Sequence, residues 1–354
     1  MADVRSRLPG PRPDGEREGD ADGATAEGRG HRRRARDRGQ LFLVGALALA
    51  TVFVVLAVLL NSAIYTESVA TRGDGTGSGA AIEYERAAVD AVADAMAEAG
   101  PADTTGSAAD AVANRTGRWR AVADHHVSTD AAVGDVRIAS TTAGTYLADD
   151  NASRPLTNAS GDADWTVVEG AAVRAYDLRL RPTAELTDAT VGDRTTLLDA
   201  AFHAEFENAS GTWTVAVFRN DGEVCARTYR PDDTEAGTTC VVDPGPGERV
   251  AVSVTGASVG GTDAPGMAFL TAGEAYDVRY RDGDAAEGTF DAVARVSPSA
   301  FAGSAAAAEY AGRDAASSPF YSGAVYEATV DVSYRSANVR YGDSVRVAPG
   351  EPDA

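Results

Sequence analysis

The chain has 354 residues with 32 Lys+Arg, 53 Asp+Glu and a net charge of -21, enough length for one large or two ordinary domains. That charge repels phosphate and so disfavours nucleic acid as a partner, and two cysteines are too few for a disulfide framework or a four-thiolate zinc site. No lysine occurs, so every basic residue is arginine; with the abundant aspartate this is a halophile-like composition, in which molar salt shortens the Debye length to about 3 Å and screens the self-repulsion.

Residues 1–39 are Gly, Asp, Glu, Arg and Pro with few aliphatic side chains, which predicts a disordered, arginine-rich cytoplasmic leader. The leader ends in Arg32, Arg33, Arg34, Arg36 and Arg38 against Asp37 alone, a cluster that stays on the cytoplasmic side. From Leu41 to Ile64 no charge occurs over 24 residues, more than the roughly 20 apolar residues a span requires. The segment 40–65 is therefore expected to be a transmembrane helix, single-pass and in contact with membrane lipid, with the amino terminus inside. Up to Gln40 the net charge is +2; after it, -23. A removed signal cut after Ser68-Val69-Ala70 would start the mature chain at Thr71, but signal cores are about 7–15 residues long and this run is longer.

Arg38-Gly39-Gln40 followed at once by the apolar run resembles the class III signal peptides of haloarchaeal type IV pilin-like proteins. The resemblance covers about the first 65 residues and implies processing between Gly39 and Gln40, retention of the apolar helix, and other pilin-like single-helix proteins as partners. Val44 stands where pilins carry an assembly-guiding glutamate, and the leader is long. Read from the residues alone, Arg-Gly-Gln is equally a basic flank without processing.

Residues 66–79 read as a glycine-rich linker. Over 80–160 a helical segment is expected. Ile82, Val89, Val92 and Met96 recur at helical spacing, Asp90, Asp94 and Glu98 share another face, and Gly100-Pro101 ends the pattern. A second helix from Ala108 to about Val127 carries Trp119, Val122, His125 and His126, with Ser107 as N-cap. Adjacent histidines point to different faces and lack companion ligands, so no metal is expected.

Residues 161–354 change to a period of two. Tyr176, Leu178 and Leu180, then Leu198 through Phe206, then Val250–Val254, Tyr276–Tyr280 and Tyr326–Tyr334 alternate with polar residues. Turns are expected at Asn220-Asp221-Gly222, Asp243-Pro244-Gly245, Asp282-Gly283-Asp284 and Gly342-Asp343, and His203 is expected on the wet face. The fold class read from this is α+β: one N-terminal transmembrane helix, juxtamembrane helices, and a mainly antiparallel β-sandwich-like external domain.

Cys225 and Cys240 on two expected strands favour a disulfide in an oxidising location. Asn114, Asn151, Asn158 and Asn208 open N-x-Ser/Thr sequons and are candidate glycosylation sites. Gly256-Ala257-Ser258-Val259-Gly260 fits G-x-S-x-G, but a hydrolase of that order needs a histidine after the serine, and His31, His125, His126 and His203 all precede it. No catalytic residue, cofactor or metal is therefore expected. The expected role is structural or interactive, as a pilin-like or minor pilin-like component of a surface assembly; the alternative is a membrane-anchored external ligand- or glycan-binding module that does not assemble.

Overall fold

Alternation of apolar and polar residues, repeated along most of the chain beyond residue 130, produces two antiparallel sheets whose apolar faces bury each other. The computed structural model describes residues 78–99, 105–311 and 318–352, together with Leu49 and Phe53. The chain divides into a unit of residues 1–73, in which only Leu49 and Phe53 are described, and a unit of residues 74–354.

The second unit opens with α1 (Ser78–Glu98) and α2 (Thr105–Thr129), followed by β1 (Val133–Asp149). The first sheet contains β1, β3 (Val173–Pro182), β9 (Val250–Ser253), β10 (Ser258–Val259), β11 (Thr262–Asp263), β13 (Ala286–Ala294), β14 (Phe320–Arg335) and β15 (Arg340–Val347). Its order is β11-β10-β9-β3-β13-β1-β14-β15. The second contains β2 (Trp165–Ala171), β4 (Glu185–Leu186), β5 (His203–Asn208), β6 (Gly211–Asn220), β7 (Glu223–Tyr229), β8 (Glu235–Val242) and β12 (Tyr276–Arg281). Its order is β2-β12-β5-β6-β7-β8, with β4 pairing β6 in parallel.

The core between the sheets takes Leu147, Leu178, Leu180, Val252 and Phe290 from the first and Trp165, Phe206, Val217, Val278 and Tyr280 from the second. Aromatic rings fill its centre. Trp165 meets Tyr280, Phe290 and Tyr310 at centroid distances of 5.2, 5.9 and 5.5 Å, a range in which ring edges and faces attract. Their polar atoms are satisfied: Trp165 Nε1 donates to Leu156 O at 2.9 Å, Tyr310 Oη to Val167 O at 2.8 Å, and the Tyr176 and Tyr280 hydroxyls bond each other at 2.8 Å across the sheets.

Two strands are long enough to serve two cores. The C-terminal end of β1 buries Leu147 in the sandwich, whereas its N-terminal end buries Val136 beneath the helices; β14 divides likewise, with Val330, Val332 and Tyr334 under the helices. Register shifts in the β1–β14 pairing between Ile138 and Ser140 and between Thr142 and Ala143 fall between these halves, where bulges bend and twist a strand. On this extension α1 sets down Ala81, Tyr84, Ala88, Val92 and Met96, one stripe at helical spacing. Gly134 lies directly under Tyr84: a Cβ there would fall 2.3 Å from the tyrosine ring, so this strand position has to be glycine for the helix to sit down.

This arrangement corrects the expected α+β architecture with an N-terminal transmembrane helix. The described architecture is mainly β, and among the described residues no helix is long and apolar enough to cross a membrane. The physical reason lies in α1 and α2, each of which buries one side and keeps a charged face with Asp90, Asp94 and Glu98 on α1 and Arg115, Arg118 and Arg120 on α2. Segment 40–65, apart from Leu49 and Phe53, lies outside the described residues, as do leader 1–39 and linker residues 66–77. The stretch expected to be helical over 80–160 is helical only to Thr129; from Val133 it is strand, led by Val136 and Ile138 on the buried side and β-branched Thr141 and Thr142 beyond.

Smaller corrections follow from the same packing. Ile82, expected on the buried stripe, is exposed, because Ala81 and Tyr84 face the sheet instead. Leu198 ends a short helix, α3 (Arg194–Leu198), so the strand begins only at His203, which is buried rather than wet. Gly342 and Asp343 lie inside β15; the turn is at Ser336–Val339, closed by Ser336 N donating to Val339 O at 2.9 Å. Asp282-Gly283-Asp284 is no hairpin tip, since β12 and β13 belong to different sheets. It is the crossover between them, with Gly283 so tightly packed that a Cβ would lie 2.2 Å from Leu156 O. Asn220-Asp221-Gly222 does turn β6 into β7, with Asp221 and Gly222 at φ of 50° and 78°.

Candidate functional site

The helices set on the β1–β14–β15 extension leave two hollows along their outward side. One, of about 420 Å³, is lined by Ala80, Glu83, Tyr84, Ala87, Trp119, Val122, Ala123, His126, Val127, Asp130 and Tyr334. The other, of about 450 Å³, is lined by Ala87, Asp90, Ala91, Asp94, Ala95, Glu98, Arg115 and Trp119, so Ala87 and Trp119 are common to both. Alanines at helical spacing open these hollows by leaving no side chain between the helix backbones. Glu98 and Arg115 form an ion pair across the far end, and Arg120 pairs with Asp124 and, at 2.8 Å, Asp135. Burial and the charges of Asp124 and Asp135 push the Tyr84 hydroxyl up to about 12, so it is neutral at ordinary pH. Val122 stands 60% exposed on the rim, a patch no other described element covers. His125 and His126 are exposed on successive positions of α2.

A third hollow, of about 340 Å³, lies where the ends of β3 and β9 meet the C-terminal residues, with Asp177, Ser253, Thr255, Met267, Leu270 and Glu351 in its lining. A buried guanidinium fastens those C-terminal residues. Arg174 donates from Nε to Tyr326 O at 2.6 Å, from Nη2 to Val325 O at 2.7 Å and from Nη1 to Pro349 O at 2.8 Å. Burial lowers its pKa to about 10, which leaves it charged at neutral pH. Ala175 N adds a bond to Gly350 O at 2.7 Å, and Glu351 accepts from Arg346 and from the Tyr326 hydroxyl. Each of the three guanidinium nitrogens donates to a carbonyl of its own chain, so the group reads as a fastening and not a ligand group.

A second buried polar knot also has a structural reading. Arg154 pairs with Asp149 at 3.3 Å and donates to Ser318 O, Thr157 Oγ1 and Asn158 O. Burial raises the Asp149 carboxyl above its usual range, opposed by the Asn151 N–H and the Arg154 charge. Asn158 is buried; its Nδ2 donates to Asp162 and Glu309 carboxylates, and its Oδ1 accepts from Ser160 and Asp162 N–H groups.

These positions sort the four sequons. Asn114 on α2 and Asn151 after β1 are exposed. Asn208 is half-buried at the β5–β6 turn with its Nδ2 bonded to Glu274 at 2.9 Å. Asn158 has its amide nitrogen, the atom a glycan would be attached to, turned into the protein. Cys225 and Cys240 face each other across β7 and β8 and are joined in a disulfide. Glu223 lies beside them, but with both sulfurs in the bridge no thiolate is left to hold a metal. Gly39 and Gln40 lie outside the described residues.

The G-x-S-x-G string forms the tight meander β9–β10–β11. Ser258 pairs with Ser253 and Asp263, and Ala257, Gly260 and Gly261 supply φ of 43°, 55° and 79°. A strand follows it where a nucleophile elbow requires a helix. Arg174 was not legible as a buried group: a single arginine at the start of β3 carries no signal of burial, and only its three carbonyl partners identify it.

Residues 35–192 match the model of a family of unknown function, DUF7261. The match covers less than half the chain and takes in both helices, β1–β3 and the start of the second sheet. No curated protein and no solved structure matches the chain.

Proposed function

We propose that this chain is a cell-envelope protein with a structural or interaction role, a pilin-like or minor pilin-like component of a surface assembly. The observation that carries the reading is the order of its parts: an arginine cluster, Gly39-Gln40, the charge-free residues 41–64, then an amphipathic helix pair and a strand-rich domain. The Cys225–Cys240 bridge supports residence in an oxidising place, outside the cytoplasm. The strand-rich domain would be the part that meets partners outside. Extraction from native membranes in mild detergent tests this. Co-purification with other pilin-like proteins in a complex larger than the monomer supports it, and a chain that emerges alone overturns it.

The second reading, an external ligand-binding module that does not assemble, draws its support from the aromatic-lined hollow at the helix pair.

A further inference from the structure

The hollow of about 420 Å³ between α1, α2 and the end of β14 brings three aromatic side chains together. Tyr84 lies 5.8 Å from Trp119 and 5.9 Å from Tyr334, centroid to centroid, and the rings are inclined at 43° and 48° rather than stacked. All three line the hollow, Tyr84 and Tyr334 from the buried side and Trp119 half-buried. Around it stand two exposed carboxylates, Glu83 and Asp130, and among the described residues neither side chain has an ion pair or hydrogen bond. No arginine lines the hollow, and the nearby Arg120 is held by Asp124 and Asp135. The remaining lining is mostly alanine and valine.

We infer that this hollow binds a small alkylated ammonium ion. Aromatic faces are negative and attract cations, most strongly ones whose charge is spread over methyl groups and weakly hydrated. Glu83 and Asp130 supply the net charge, and the alanine and valine walls accept the alkyl groups. An anion would face two carboxylates and aromatic rings, with the imidazole of His126 as the one nitrogen side chain in the lining besides the Trp119 indole. A bare metal ion would need about six oxygen ligands, which three rings and two separated carboxylates do not supply, so inorganic salt does not compete for the same contacts. The inference stands on the geometry of the helix pair and is independent of whether the chain assembles.

The test is calorimetric titration of the full chain, in maltoside detergent, with choline chloride and separately with 3,3-dimethylbutan-1-ol, its neutral isostere. Saturable choline binding is expected, with the isostere weaker by about tenfold or more, the ratio that a partly desolvated cation–aromatic contact gives. Trp119→Leu should weaken choline by about tenfold, and Glu83→Gln with Asp130→Asn by roughly as much. The carboxylate pair is exposed, so that double variant should melt as the parent does and keeps the test valid if Trp119→Leu fails to fold. Absence of saturable choline binding, equal binding of the isostere, or unchanged affinity in the carboxylate double variant would overturn the inference.

Discussion

Asp291 sits in β13 directly opposite Asp177 of β3, on the side of the first sheet away from the sandwich core, and among the described residues neither side chain has a hydrogen bond or ion pair. Burial first, and the charge of Asp177 second, push the Asp291 carboxyl from 3.8 up to about 6, with Arg179 opposing. The folded state therefore prefers Asp291 protonated. Below the unfolded value both states carry the proton and no penalty exists; as pH rises from there through about 6 the unfolded chain ionises first and stability is lost. A shift of about two pH units corresponds to about 3 kcal/mol, which partial exposure reduces to roughly 1–2 kcal/mol. Asp291→Asn keeps the shape and removes the charge. At about pH 7.5 the variant should be more stable by that amount, or about 3–6 °C in Tm, and near pH 4 most of the gain should be gone. Because desolvation outweighs the Asp177 repulsion, molar salt should remove only the smaller part of the gain. Urea unfolding at the two pH values, in low and molar salt, measures all of this. An asparagine variant that is no more stable at about pH 7.5, or whose gain is the same at both pH values, would refute the reasoning.

Replacing Cys225 and Cys240 together by serine should lower stability by about 2–3 kcal/mol, and reductant should bring the parent down to the variant's melting temperature but leave the variant unchanged. Asn158→Ala should cost about 2–4 kcal/mol in denaturant unfolding, because Asp162 and Glu309 lose a buried donor and two N–H groups lose their acceptor. Glycopeptide mass spectrometry should find sugar at Asn114 or Asn151 and none at Asn158; sugar on folded Asn158 would contradict its buried position. Gly283→Ala should destabilise by about 2 kcal/mol or more, since the new methyl meets the backbone of Leu156 and not a side chain that can swing away; a neutral result in thermal melts would show that the crossover yields.

The strands were legible where one face is wet. Tyr276, Val278 and Tyr280, like Tyr326 through Tyr334, alternate cleanly because their partners in the sequence face solvent, and all of the named residues are buried. Legibility failed where a strand is covered on both faces or shared between two cores. In β1 the run from Gly144 to Asp149 is buried almost throughout, so its period vanishes, and its other half answers to the helices. The Cys225–Cys240 pairing was legible because the residues flank a polar turn of hairpin length. The burial of Asn158 was not legible, because a sequon specifies only three residues, whereas its surroundings include Glu309, distant in sequence. The aromatic hollow could not be found from periodicity, since Tyr84, Trp119 and Tyr334 come from three elements and meet only through the bend of β1 and β14. Single signals existed, an aromatic on each amphipathic helix, but each reads alone as packing.

Whether the chain is a pilin-like envelope component is read from the amino terminus of the mature protein, extracted from native membranes and measured by mass spectrometry. A chain beginning at Gln40 is the predicted result, since pilin-type processing cuts after Gly39 and leaves the charge-free segment in place. A chain beginning at Met1 or Ala2 would contradict that processing, and one beginning at Thr71 would show that the apolar segment is removed and the protein secreted.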